Sequence, residues 1–171
     1  MIAKGATLDF EMGPQPSRWG TGADDVPRSL TAPGQRPRML HDLLGSGTRA
    51  ALADGRAVPA LLDDDATTAV PLGAGATLML SAVGDGAPTM YTLTSGEGPI
   101  RGAGWTLEAR NGDGRWTTLD QRRGEDFSAA RQTRPFRIAS PSRYAEYRLR
   151  VTAPGRLQLA EIELLSPSTV R

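Results

Sequence analysis

The sequence predicts an all-β fold, a jelly-roll β-sandwich. Three observations carry this. Short runs with alternating apolar and polar residues recur along the chain. Turn-forming residues are abundant, with 20 Gly and 13 Pro among 171 residues. No periodic apolar run is long enough for the crossover helix of a parallel sheet. The chain's 171 residues are enough for one domain with a real core and a fragment of a second, and the hydrophobic share is 39%.

The clearest element is Trp105 to Leu119, WTLEARNGDGRWTTL. Trp105, Leu107 and Ala109 alternate with Thr106, Glu108 and Arg110, as in a strand with one buried face. Asn111-Gly112-Asp113-Gly114 supplies residues that tolerate the backbone of a hairpin turn. Trp116 to Leu119 then restarts the strand with aromatic and β-branched types.

The remaining elements follow in chain order. Ala6 to Met12 reads as a strand with Leu8, Phe10 and Met12 on one face, followed by a Gly13–Pro16 turn. Nothing nearby completes a sheet for it, so it reads as the tail of an upstream domain or an edge strand folding back. Thr21 to Pro37 has the composition of a linker, and residues 21–57 form a lead-in. A short helical turn is expected around Met39 to Leu44. Ala76–Val83 and Thr89–Thr94 read as strands around the turn Gly84–Pro88. Gln121 to Arg131 reads as a polar loop carrying Phe127. Gln132–Ile138, Tyr144–Val151 and Leu157–Leu165 complete about eight strands, with the sandwich over 58–165 and a tail at 166–171.

Composition excludes several functions. Net charge is +1, so no global field points to nucleic acid or a membrane surface. There is no cysteine, hence no disulfide framework and no thiolate chemistry. No apolar run approaches the roughly 20 residues needed to span a bilayer. MIAKGATLDFEMG lacks a signal peptide's apolar region, so for a protein acting outside the cell the export signal is expected on a longer parent chain.

Two segments could carry chemistry. His41, Asp42 and Ser46 are residue types of a hydrolytic triad, but they are sequence neighbours without a nucleophile-elbow motif, so no triad is assigned. VPALLDDDATTAV places Asp63, Asp64 and Asp65 in succession, with Thr67 and Thr68 after them. Clustered carboxylates repel unless solvated, protonated or neutralised. Carboxylates, hydroxyls and carbonyls together suit a hard cation, which takes about 6 to 8 oxygens. The spacing is not that of an EF-hand. An ordinary solvated acidic turn is the alternative.

Tyr91-Thr92-Leu93-Thr94-Ser95, Gly104 to Ala109 and Asp113 to Asp120 stand in an order that resembles a discoidin (coagulation factor 5/8 type C) domain. Phe127, Gln132 to Phe136, Tyr147-Arg148-Leu149 and Leu157 to Leu164 continue it, over about residues 58 to 165. The resemblance implies a galactose-binding-like jelly roll, often a carbohydrate-binding module attached to a glycosidase. It also implies a structural calcium ion joining an early loop to the last strand. The matching residues are Asp63 and Glu161 through side chains, Asp65 and Ala160 through carbonyls, Thr68 through hydroxyl and carbonyl, and Ala60 as a further carbonyl. Asp64 departs from the family, which commonly has Gly there.

The family's sugar-stacking aromatic would follow Thr68, but Ala69 and Val70 stand there, so glycan binding at the usual site is expected to be weak or absent. Trp105, Trp116, Phe136 and Tyr147 are expected in the core, with Phe127 the best exposed platform. Ile2 to Gly20 is similar to the end of the catalytic module of bacterial glycoside hydrolase family 92, which are calcium-dependent α-mannosidases. That implies an upstream glycosidase catalytic domain as partner, a secreted parent protein, and no catalysis by this chain alone. An adhesion module and a purely structural domain are the alternatives.

Overall fold

The computed structural model describes residues 40–152 and 157–167. The expectations for Ile2–Gly20, for the Thr21–Pro37 linker and for the turn at Ala153–Gly155 lie outside these residues.

Ten strands and one 3-10 turn make up the described chain. They are β1 (Leu40–Asp42), β2 (Arg49–Leu52), the turn Pro59–Leu62, β3 (Val70–Leu72), β4 (Thr77–Ser81) and β5 (Met90–Ser95). The others are β6 (Ile100–Arg110), β7 (Thr117–Phe127), β8 (Thr133–Arg137), β9 (Glu146–Val151) and β10 (Leu157–Pro167). They form two antiparallel sheets, so the predicted all-β sandwich is what the chain folds into. The first sheet runs β1-β10-β5-β8, with β3 beside β1 on the same flank of β10. The second runs β2-β4-β9-β6-β7.

The core lies between the sheets and is built by period-2 alternation. Leu78, Leu80, Trp105, Leu107, Tyr147 and Leu149 come from the second sheet and are fully buried. Tyr91, Leu93, Leu159, Ile162 and Leu164 meet them from the first. Phe136 completes an aromatic group, 5.0 Å edge-on to Trp105 and 5.2 Å stacked on Tyr91. The polar tips of these rings are not wasted in the interior. Trp105 Nε1 donates to the Tyr91 hydroxyl at 2.7 Å, and that hydroxyl donates to Asp120 Oδ2 at 2.8 Å. Burial and the Asp120 carboxylate push the Tyr91 phenol far above the ordinary tyrosine value, so it stays a donor.

Three expectations are corrected. The segment around Met39–Leu44 is not helical where it is described. Leu40–Asp42 is β1, antiparallel to Leu165–Pro167 of β10. β10 offers this segment a ladder of backbone hydrogen bonds instead. The sheets therefore begin within the lead-in, since β2 also lies before residue 58. Second, Gln121–Phe127 is not a loop but the continuation of β7. β7 is an edge strand paired only with β6, so exposed charged residues such as Arg123 and Asp126 face solvent and blunt the edge. Third, Phe127 is fully buried beside Trp105, 6.5 Å between centroids. It cannot be an exposed platform. The Arg134 guanidinium, 5.4 Å from its ring centre, covers it.

Candidate functional site

The Asp63–Thr68 loop is held by the turn before it. Pro59 presets φ at the start of the 3-10 turn, and Leu61 inserts fully into the core. The chain then leaves the core at Asp63. Asp64 adopts a left-handed φ of 60°, a conformation that glycine takes more readily. This explains why the departure at Asp64 is tolerated: Asp is among the side chains best suited to that region.

Beyond Asp64 the loop turns back onto its own carboxylates. The Asp65 amide donates to Asp63 Oδ1 at 2.9 Å and to Glu161 Oε1 at 3.1 Å. One N–H thus draws together carboxylates 98 positions apart in the chain, from the loop and from β10. The Thr68 hydroxyl lies 3.2 and 3.0 Å from the two Asp63 carboxylate oxygens and 2.9 Å from the Asp65 carbonyl. A hydroxyl has one proton, so it cannot satisfy three acceptors at once. Three acceptor oxygens thus converge on one hydroxyl.

The Asp65 carboxylate faces away from this group. It accepts from the Thr67 hydroxyl at 2.6 Å and the Thr67 amide at 2.8 Å. Those bonds, hydroxyl first, hold its carboxyl below the usual carboxylate range, and the Arg131 charge acts in the same direction.

Glu161 reaches the loop because β10 carries a bulge. Leu159 pairs with Ser95 and Glu161 with Thr94, so Ala160 has no opposite residue on β5. The inward positions shift from Leu157 and Leu159 to Ile162 and Leu164 across it. Glu161 is turned beneath the loop and is only 6% exposed. In the sequence this bulge shows as a slipped alternation in LQLAEIELL.

Of the six residues expected to hold calcium, the structure brings Asp63, Asp65, Thr68 and Glu161 into one hydrogen-bonded group. Ala160 is fully buried at the bulge, and Ala60 is half-buried in the 3-10 turn. Two carboxylates with neutral oxygens fit a hard divalent cation. Among the described residues no three acidic or histidine side chains gather in the manner of a carboxylate-only or imidazole site.

The usual sugar-site positions carry no aromatic. Ala69 is half-buried and Val70 is buried in β3. At the opposite end of the sandwich, His41, Asp42 and Ser46 line an open cleft of about 310 Å³ with Thr48 and Asp85. Asp42 Oδ1 accepts from the Leu44 and Leu164 amides, each at 3.0 Å, which makes it a clasp between β1 and β10.

Trp116, expected in the core, is half-exposed on the outer face of the second sheet. Arg148 and Arg110 lie over its ring at 4.2 and 4.5 Å. These guanidiniums are fixed by Glu108 at 2.7 Å and Glu146 at 2.6 Å. Trp105, Phe136 and Tyr147 are buried, as expected.

No family model matches the chain, and no curated sequence does. Solved structures do resemble it in fold. The family 32 carbohydrate-binding module of Clostridium perfringens NanJ, solved with galactose, superposes with a TM-score of 0.60 at 13% identity, covering 74% of this chain and 99% of that one. An F5/8 type C domain from Bacteroides fragilis gives 0.60 at 15% identity, covering 72% and 94%. Truncated AlyQ, with a carbohydrate-binding module of the same family and an alginate lyase domain, gives 0.61 at 10% identity, covering 78% and 35%. The chain therefore shares the β-sandwich fold of these domains.

Proposed function

We propose that the chain is a non-catalytic accessory module of a carbohydrate-active protein, and that the Asp63 loop and Glu161 hold a structural calcium ion. The observation that carries the second part is the convergence of Asp63 and Glu161 on one amide, with three acceptor oxygens gathered on the Thr68 hydroxyl. Calcium there would offset the carboxylate repulsion and tie the loop to β10. The first part rests on the sandwich shared with modules described as carbohydrate-binding and, in one case, joined to a lyase. The finer reading is an exported parent of the α-mannosidase type, which rests on the Ile2–Gly20 stretch alone.

The adhesion alternative needs an exposed apolar spike at a loop tip, for which the sequence offers Met39-Leu40 or Phe127, and of these Phe127 is buried. Ala69 and Val70 instead favour a module that adds little glycan affinity at the usual site.

A ligand bound only by the folded state must raise the melting temperature. Chelator should therefore lower it, and Asp63→Ala should melt alike with and without chelator. Identical curves for the unaltered protein in both conditions would remove the calcium site. Turnover of a mannobioside by the chain would remove the non-catalytic reading.

A further inference from the structure

Among the described residues, seven aromatic side chains are present, and five of them are buried. Tyr144 is half-buried and packs edge-on against Tyr147 at the rim of the core. Trp116 alone is neither buried nor part of the core. It stands just past the β6–β7 turn, at the end of the sandwich remote from the Asp63 loop.

The surface it stands on is unusual in charge. The outward positions of β9 are Glu146, Arg148 and Arg150, and those of β6 are Thr106, Glu108 and Arg110. β4 adds Thr77, Met79 and Ser81, and β2 adds Arg49, on the same face. Four arginines thus face two glutamates, although the whole chain is nearly neutral. Glu108 and Glu146 anchor the two guanidiniums that touch Trp116. Arg150 is exposed, and Glu108 lies 4.0 Å from it at the limit of ion pairing. Arg49 is exposed at the far side.

From this we infer that the outer face of the second sheet binds an acidic glycan, a chain of sugars bearing carboxylates. The reading rests on the carbohydrate-module proposal above and gives it a ligand class and a place. Trp116 supplies an indole face for the apolar side of a sugar ring, held in one orientation by Arg110 and Arg148. Arg150 and Arg49 supply planar forks for carboxylates. A neutral glycan would use the first feature and leave the second idle; an acidic chain uses both. The surface is independent of the Asp63 loop, so it does not need the aromatic absent after Thr68.

The test is affinity electrophoresis and titration calorimetry of the full chain with polygalacturonate, alginate, mannan and a mixed-sequence single-stranded oligonucleotide. Polygalacturonate or alginate should retard the protein. Trp116→Ala should weaken that binding by roughly tenfold or more. Arg150→Gln, at an exposed position that leaves the fold intact, should weaken it less. Binding should also fall as salt approaches about 1 M, where screening acts within roughly 3 Å. Mannan binding that ignores both substitutions, without uronate binding, would overturn this inference and leave the carbohydrate module standing. Binding of no glycan would overturn this inference and leave the accessory module with a structural role only. Tighter binding of the oligonucleotide, lost in the same variants, would overturn the choice of occupant. A Trp116→Ala protein that fails to fold leaves Arg150→Gln and salt to decide.

Discussion

The two ends of the sandwich are built on opposite plans. At one end, the Asp63 loop collects acceptor oxygens from residues close in sequence and adds one distant carboxylate, Glu161. At the other, Trp116 lies on guanidiniums from two different strands, each fixed by a glutamate. The first end is negative and compact, suited to a small cation. The second is positive, flat and open, suited to an extended anionic partner. The core between them separates the two, so each can be altered without the other.

Substitutions can break that independence or sharpen it. The largest effect is expected where the ends share support. Trp105→Ala removes a fully buried indole and the donor to Tyr91, and should cost about 3 to 5 kcal/mol in chemical denaturation. Both ends should lose their function together. Thr68→Val should cost less, about 1 to 2 kcal/mol, and only at the Asp63 end. It removes a hydroxyl that contacts Asp63 and the Asp65 carbonyl, and the response of the melting temperature to calcium should shrink while polyuronate binding is unchanged. Trp116→Ala should have the reverse signature. Two guanidinium–indole contacts at a half-exposed site contribute about 1 kcal/mol, and the calcium response should be untouched.

The smallest effect is expected with pH. The Gly102 amide and then the Arg101 guanidinium hold the Asp126 carboxyl below its usual range. A carboxylate whose folded pKa is depressed stabilises above its unfolded value, about 3.9, and that stability is lost as pH falls through the folded value. Denaturation midpoints followed from pH 5 downwards should therefore fall a little less in Asp126→Asn than in the unaltered protein. An equal decline would mean the Gly102 contact does not act in solution.

Much of the fold could be read along the chain because strands declare themselves locally. In Trp105–Leu119, alternation and a glycine-rich turn are contained within fifteen residues. The errors share one cause. Leu40–Asp42 becomes a strand only because β10 lies beside it, and Gln121–Phe127 stays extended only because β6 pairs with it. Neither segment has a periodicity of its own. For Phe127, a polar neighbourhood in sequence concealed a fully buried side chain, since an edge strand can be charged on one face and still carry one inward ring.

By itself, then, the sequence determined the class of fold, the turn residues of the hairpin and the residue types of the Asp63 loop, since each depends on neighbours within a few positions. The discoidin resemblance already pointed to Glu161, but only tertiary structure decided how it reaches the loop, through a bulge in β10 and pairing with β5. It also decided that Trp116 lies outside the core. Trp105 and Trp116 occupy similar strand patterns, and only the side of the sheet that each one faces makes the first structural and the second accessible.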